Sequence, residues 1–253
     1  MKTVASIALA LVLSSQAVAQ APARAPLAAP GAAKDSHNCV VEPSLSVSVG
    51  SPVDGVLQSV TVDRGSSVAK GQVVAQLRSG VEAAAVALSQ SRIEFDKRKV
   101  ERNETLFNKQ LISAQERDEM VTEATLHNGE LRKELENLKL RTIVSPLNGV
   151  VVERALGPGE LIRADRSIVL KLAQLNPLNI EVITPAALFG TIRAGMIGSV
   201  NLSPYFTQPY TAKVVVVDKV IDPASGTFWV RLQLPNPENK IPAGIRCSVA
   251  FKR

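Results

Sequence analysis

The apolar positions of this chain change their period twice. From Cys39 to Leu77 they fall in short β-branched runs: Cys39-Val40-Val41, the strictly alternating Leu45-Ser46-Val47-Ser48-Val49, then Val56, Val60 and Val62, and Val73-Val74-Ala75-Gln76-Leu77. Period two with turn residues between the runs predicts strands. From Val81 to Arg141 the period becomes helical. Val86, Ile93, Val100 and Phe107 recur every seven residues, and Val121, Ala124, Asn128, Leu131, Leu135 and Leu138 follow a three–four spacing. Both are coiled-coil patterns. Lys109-Gln110-Leu111-Ile112-Ser113 interrupts them, and Ser113 with Glu116 forms a capping box that opens a second helix. The prediction is an antiparallel helical hairpin with arms of about 27 residues, roughly 40 Å long. Asn128 falls in the expected seam beside Gly129, which weakens a helix by about 1 kcal/mol, so a local irregularity is expected there. Beyond Asn176-Pro177 the period returns to two. Leu178–Val182, Val214–Val217, Phe228–Leu234 and Ile245–Phe251 read as strands between Asp/Pro/Gly turns, and Pro185–Ile192 as one short helix. Strands of this number and length predict a small barrel, with 45–49 completing it and bringing Cys39 near Cys247.

The two stretches flanking the helical segment are copies of one another. Ser51-Pro52-Val53-Asp54-Gly55-Val56-Leu57 matches Ser145-Pro146-Leu147-Asn148-Gly149-Val150-Val151, 94 positions on. At the same offset Val62 pairs with Leu156, Gly65 with Gly159, Val68 with Ile162 and Val74 with Ile168. Asp54-Gly55 and Asn148-Gly149 occupy matching turn positions, where glycine accepts positive φ cheaply. Each copy is too short to bury its own apolar face, so the two must close on each other. Whatever lies between them is pushed out as an arm.

Composition narrows the function classes. A chain of 253 residues holds one to two domains. Aromatics make up only 4%, and the formal charge of +6 is spread without like-charge blocks, which argues against nucleic acid as a partner. Lys2, the apolar run Val4–Leu13 and Ala17-Val18-Ala19 form the three-part pattern of a cleaved secretory peptide, with an uncleaved anchor as the competing reading; the run is too short to span a bilayer. Residues 20–34 are mostly alanine and proline and read as a flexible leader. The chain therefore divides into a signal peptide (1–19), a leader (20–37), an N-terminal strand joining the barrel (38–50), a first half-motif (51–80), the hairpin (81–141), a second half-motif (142–175) and the barrel (176–253).

Cys39 and Cys247, one near each end of the mature chain, either form a disulfide in an oxidising compartment or remain two buried thiols. A bridge over so long a loop is worth roughly 4–5 kcal/mol in the chain-entropy account. His37 and His127 have no ligand-spaced companions, so no metal site is expected. Nor is catalysis: the sequence lacks G-x-S-x-G and H-E-x-x-H, and Gly157-Pro158-Gly159 reads as a turn rather than a phosphate cradle. Asp118 and Glu119 are adjacent on a helix and point apart.

A split pair of β half-motifs around a helical hairpin, followed by a small barrel, resembles the periplasmic adaptor (membrane fusion protein, HlyD-like) family of tripartite efflux pumps over roughly residues 38–253. The resemblance implies a mainly β fold with an α-helical hairpin: a split barrel-sandwich, lipoyl-like domain interrupted by a coiled coil and followed by a β-barrel. It also implies a non-enzymatic role without cofactor or metal. The expected partners are an inner-membrane transporter, most simply of the resistance-nodulation-division type, and an outer-membrane channel of the TolC type. A homo-oligomeric ring of three to six copies in the periplasm is expected as well, associated with the inner membrane through the transporter. Adaptors that dock on such channels share Arg, Leu four residues on and Ser seven further, and Arg102, Leu106 and Ser113 fit that spacing. Asn103 stands where the family pattern has an apolar residue. The alternatives within the architecture are an adaptor of an ABC exporter or type I secretion system, or a transporter accessory without channel contact. A covalent lipoyl or biotinyl carrier is disfavoured, since about sixty helical residues replace the tight hairpin that bears the modified lysine. Compared with the larger adaptors, the membrane-proximal domain beyond the barrel is expected to be absent or reduced to the segment around Cys39, leaving the transporter contact to the lipoyl-like lobes and barrel.

Overall fold

A computed structural model describes residues 36–252 except Asp165. The expected signal peptide and all but the end of the expected leader lie outside these residues; Ser36 and His37, assigned to the leader, already belong to the first strand. In chain order the elements are β1 (Ser36–Val49), β2 (Gly55–Val60), β3 (Ser67–Val68), β4 (Val73–Leu77), α1 (Gly80–Asn108), α2 (Ala114–Lys139), β5 (Thr142–Val144), β6 (Gly149–Arg154), β7 (Leu161–Ile162), β8 (Leu170–Pro185), β9 (Ile197–Asn201), β10 (Tyr210–Val217), β11 (Thr227–Leu234) and β12 (Arg246–Phe251).

The two half-motifs close on each other with near two-fold symmetry. Ser51 and Ser145 are both buried, and each hydroxyl donates to the carbonyl two residues on (2.7 Å in both copies). Asp54 Oδ1 accepts from Ala164 N of the other half at 2.8 Å, and Asn148 Oδ1 accepts from Lys70 N at 2.7 Å. Leu57 N donates to Glu160 O and Val151 N to Ser66 O, both at 2.9 Å. In every case the second bond is the first with its two halves exchanged. Leu57, Val68, Val74, Leu77, Val151, Ile162, Val169, Leu170 and Leu172 fill the shared core.

Two details of the repeat differ from the sequence reading. The register does not run unbroken to Val74 and Ile168. Val74 and its true counterpart Val169 are fully buried and accept from Thr61 N and Ala155 N, whereas Ile168 is 39% exposed. The slip arises in a turn. The first copy closes it over four residues (Gln72 N to Ala69 O), the second over five (Ser167 N to Arg163 O). Gly55 and Gly149 are also not positive-φ residues, unlike Gly65 (φ 86°) and Gly159 (φ 90°). They are required by close approach: a Cβ on Gly149 would lie 2.2 Å from Ala173 O, and one on Gly55 2.6 Å from Leu77 Cδ2.

The remaining strands form a closed barrel in the order β1-β12-β9-β10-β11-β8, with β8 returning to β1. Its core holds Phe228, Leu178, Ile180, Val182, Val230, Leu232 and Val249. The N-terminal part of β1 closes it, Cys39 lying directly opposite Cys247 of β12; their sulfurs are bonded at 2.10 Å. The segment 45–49, expected in the barrel, instead pairs with Leu170–Gln174 on the lobe side. The short helix expected at Pro185–Ile192 is a single 3-10 turn, Ala186–Leu188. Strands β1 and β8 therefore thread both cores: Val41 and Leu178 sit in the barrel, Val49 and Leu170 in the lobe.

The near-symmetric glycines give a test. At Gly149 the obstacle is a backbone carbonyl, whereas at Gly55 it is the flexible ends of Leu77 and Arg141. Gly149→Ala should therefore cost about 3 kcal/mol and Gly55→Ala about 1 kcal/mol in denaturant unfolding. Equal losses would refute the close-packed account of this repeat.

Candidate functional site: the helical hairpin

The hairpin is anchored where it leaves the lobe. Arg141 donates to Asp54 O at 2.7 Å and to Glu82 Oε1 at 2.6 Å, so one half-buried guanidinium joins the repeat motif to both helices. Leu77 N donates to Arg141 O at 2.8 Å, holding the entering and leaving chains together.

The seam between the helices is more polar than the heptads imply. On α1 it runs through Val86, Ser89, Ile93, Asp96, Val100, Asn103 and Phe107, all buried or half-buried. On α2 it runs through Arg117, Met120, Ala124, His127, Leu131, Glu134 and Leu138. Asn128 is exposed and Val121 is 41% exposed, so the expected α2 seam is corrected by a small rotation of the helix. The cause is a polar pair that the apolar pattern hides. Asp96, only 5% exposed, lies 2.6 Å from His127 Nδ1 through its Oδ2. A buried carboxylate needs a partner, and His127 supplies it across the seam. Arg92–Glu130 and Lys99–Glu123 cross the helices at 3.3 and 2.8 Å. α2 continues through Gly129 without the expected irregularity.

At the tip, α1 ends with Gln110 in the left-handed region (φ 60°). Gln110 N donates to Phe107 O at 2.8 Å and Leu111 N to Leu106 O at 2.9 Å, the paired bonds of a Schellman close. Ser113 then caps α2. Its hydroxyl accepts from Glu116 N at 3.2 Å, and its own N–H donates to Glu116 Oε2 at 2.8 Å. These bonds from Ser113 hold the Glu116 carboxyl below the ordinary glutamate range. Just behind the turn, Arg117 donates to Glu104 at 2.8 Å and stacks over Phe107, with its guanidinium carbon 5.1 Å from the ring centre.

The three sequence-predicted tip residues meet different fates. Arg102 and Leu106, four apart on α1, share a helix face. Arg102 is exposed and has no ion pair or side-chain hydrogen bond among the described residues; Leu106 is half-buried. Ser113 is exposed, but its hydroxyl is engaged within its own helix cap. The sequence reading passed over Leu111, which is 67% exposed at the apex. Its signal was the apolar pair Leu111-Ile112 in the break between the helices, of which Ile112 is half-buried and Leu111 exposed.

The sequence signature of the CzcB-like barrel-sandwich hybrid domain matches residues 45–173, from the alternating strand through both half-motifs and the hairpin between them. The chain belongs to this family of membrane fusion adaptor proteins. Among curated relatives, the adaptor is 23% identical over 205 residues to the probable efflux pump periplasmic linker protein SepA of Pseudomonas putida, covering 76% of this chain and 54% of that protein. It is 19% identical over 207 residues to the multidrug resistance protein MexA of Pseudomonas aeruginosa, again covering 76% and 54%. The adaptor chain thus spans about half the length of the curated relatives it matches. Among solved structures, a MacA–MexA chimera carrying the Pseudomonas aeruginosa MexA α-hairpin superposes with a TM-score of 0.73 at 19% identity, over 86% of this chain and 78% of the other. The membrane fusion protein Spr0693 of Streptococcus pneumoniae gives 0.67 at 16% identity, over 86% and 98%. These likenesses establish a shared fold.

The capping box makes the tip sensitive to acid, with a definite sign. A carboxyl whose folded-state pKa is lowered stabilises the fold above its unfolded value, and that contribution fades as pH falls through the folded value. Amide exchange at the first turn of α2 should accelerate as pH drops below the ordinary glutamate range, beyond the intrinsic pH effect. Glu116→Gln should abolish that excess. A variant that keeps it would assign the acid response elsewhere.

Proposed function

We propose that this adaptor links an inner-membrane efflux transporter, of the resistance-nodulation-division type, to an outer-membrane channel of the TolC type, and that it does so in the periplasm as a ring of several copies. The observation that carries the reading is the hairpin, rooted through Arg141 in the lipoyl-like lobe and ending in an exposed apolar apex, with Arg102, unpaired among the described residues, on the last turns of α1. Leu111 supplies apolar area for a groove, and Arg102 supplies charge-assisted hydrogen bonds that fix orientation. The similarity to SepA, a probable efflux pump periplasmic linker, and to MexA, a multidrug resistance protein, supports the same reading.

The flanks of the hairpin support the ring. Val81, Leu88 and Phe95 recur every seven residues on α1, away from the seam, and are 81%, 56% and 55% exposed. Leu126 on α2 is 68% exposed. Apolar side chains at coiled-coil spacing with nothing against them suit a neighbouring hairpin. The work of such an assembly is mechanical: many weak contacts, multiplied by the number of copies, seal a conduit.

The test is in-cell photo-crosslinking from a reactive residue at Gln110, with the captured protein identified by mass spectrometry. An outer-membrane channel should be captured. Arg102→Glu and Leu111→Ser should each reduce that capture by roughly tenfold, the effect of losing an interface anchor, while helicity is unchanged. Ser113 is a poor probe because its loss uncaps α2. Absence of channel capture in cells expressing the pump, or capture indifferent to both substitutions, would overturn the docking role of the tip.

A further inference from the structure

The barrel closes through the ladder whose two strands are furthest apart in sequence. Residues 36–40 of β1 lie opposite residues 246–250 of β12, and Cys39 faces Cys247 across 208 positions with their Cα atoms 4.8 Å apart. The entropy lost in closing a loop rises with its length, so this is the ladder the chain forms with most difficulty and latest. On its other edge β1 pairs with β8 from Cys39 to Val49. A barrel unzipped between β1 and β12 would therefore keep all its other ladders. Residues 36–38, which pair with β12 alone, would lose their neighbour.

The placement of the two cysteines on this ladder orders the events of closure. Their sulfurs are bonded, and their side chains sit in the barrel core with Val41 and Val249. In the closed barrel Cys39 is 4% exposed and Cys247 9%. Thiol–disulfide exchange requires the attacking thiolate to reach a sulfur, and a protein oxidant has no path to either of these once the ladder is shut. The bond is therefore made while β1 and β12 are still apart. The same burial shuts out a reducing thiolate afterwards. These are the only cysteines of the chain, so one copy has no wrong pairing to correct and oxidation alone completes the bond.

We propose that Cys39–Cys247 is a single-use latch on the barrel, set by a protein of the thiol–disulfide oxidase class before the β1–β12 ladder closes and shielded from reduction once it has closed. The exchange balances. One cysteine thiolate attacks the disulfide of the oxidase, one oxidase sulfur leaves as a thiolate, and a mixed disulfide forms. The second cysteine thiolate then attacks the chain's own sulfur in that mixed disulfide and displaces the oxidase, which departs as a dithiol. The chain gives up two electrons and its two thiol protons, and the oxidase takes up both. Every strand of the barrel lies on or between the two cysteine strands, so the latch is set only when all of them are in hand. The proposal goes beyond the adaptor role but rests on that reading for the periplasm, a compartment in which disulfides form and persist.

Two measurements test the latch. In the first, free thiols are trapped with an alkylating reagent in cells making the full chain, with and without their exported thiol–disulfide oxidase, and counted by intact mass. Bonded chain is expected in ordinary cells, and roughly tenfold or more free-thiol chain where the oxidase is missing. Free thiols in both strains, or complete bonding in both, would overturn the oxidase step. In the second, the purified bonded chain is treated with dithiothreitol, native and unfolded, and its amide exchange is compared with that of chain reduced while unfolded and refolded in reductant. The native bond should be reduced roughly tenfold or more slowly than the bond in the unfolded chain. Without the bond, amide exchange should accelerate roughly a hundredfold in residues 36–41 and 246–251, while β10 and β11 change little. Equally fast reduction of the native chain, acceleration spread evenly over the barrel, or no acceleration would overturn the latch. Cys39→Ala with Cys247→Ala should reproduce the exchange pattern of the reduced chain, which keeps the test readable if the reduced chain aggregates. The Gln110 crosslink is read in the same cells. Channel capture with thiols free in both strains would sink the latch alone, whereas bonded chain with no channel captured would retain it and sink the channel-docking role.

Discussion

Everything else in the molecule depends on two half-motifs that cannot fold apart. Neither copy has enough apolar surface to enclose a core, and the side-chain oxygen of its Asx-Gly turn is satisfied by the other copy. Asp54 bonds to Ala164 and Asn148 to Lys70, each reaching across the pseudo-two-fold. Closing the lobe brings Leu77 and Arg141, the two ends of the intervening segment, into hydrogen-bond contact. The hairpin is therefore a consequence of lobe closure as well as of its own seam. A two-helix coil of this length, with no fully buried residue on α2, has little independent stability. Its direction is set by the root, where Arg141 binds Asp54 and Glu82 together.

The same economy links lobe to barrel. Strands β1 and β8 run without interruption from one core to the other, their register with each other shifting only at a bulge between Pro43 and Leu45. Continuous paired strands resist bending far better than a single-chain linker. Barrel and lobe are thus joined by two hydrogen-bonded strands, and the barrel is closed at its first and last strands by Cys39 and Cys247.

Much of this was legible in the residues, and the failures have physical causes. Repetition revealed the lobe, because Ser51-Pro52 and Ser145-Pro146 recur with their turn residues and the structure uses both copies alike. The one-residue slip near Ser167 was hidden because Ile168 and Val169 are both β-branched, and only burial tells them apart. The helix pair was plain from its heptads, but the seam was misplaced by counting only apolar residues. Asp96 and His127 are invisible to such a count, since each is hydrophilic alone and buried only in the other's company. The glycines of the two Asx-Gly steps looked like turn formers, yet what they provide is clearance for a neighbouring strand. Of the tip trio, Arg102 is exposed and Leu106 half-buried on one face of α1, whereas Ser113 is already used in capping.

The polar seam has a consequence for how such an arm can work. A coil with Ser89, Asp96 and Asn103 alternating with Val86, Ile93, Val100 and Phe107 buries less apolar area than a fully apolar one, and so leaves more of its stabilisation to be supplied from outside. The outer stripe of Val81, Leu88 and Phe95 holds apolar area that is unused in the single chain. A neighbour packed against that stripe would add stability to the arm and so couple its order to assembly. Asp96 and His127 satisfy each other inside the seam, at the expense of stability that a purely apolar seam would have provided. An arm built this way is specified by its own sequence but leaves apolar area that only its surroundings can cover.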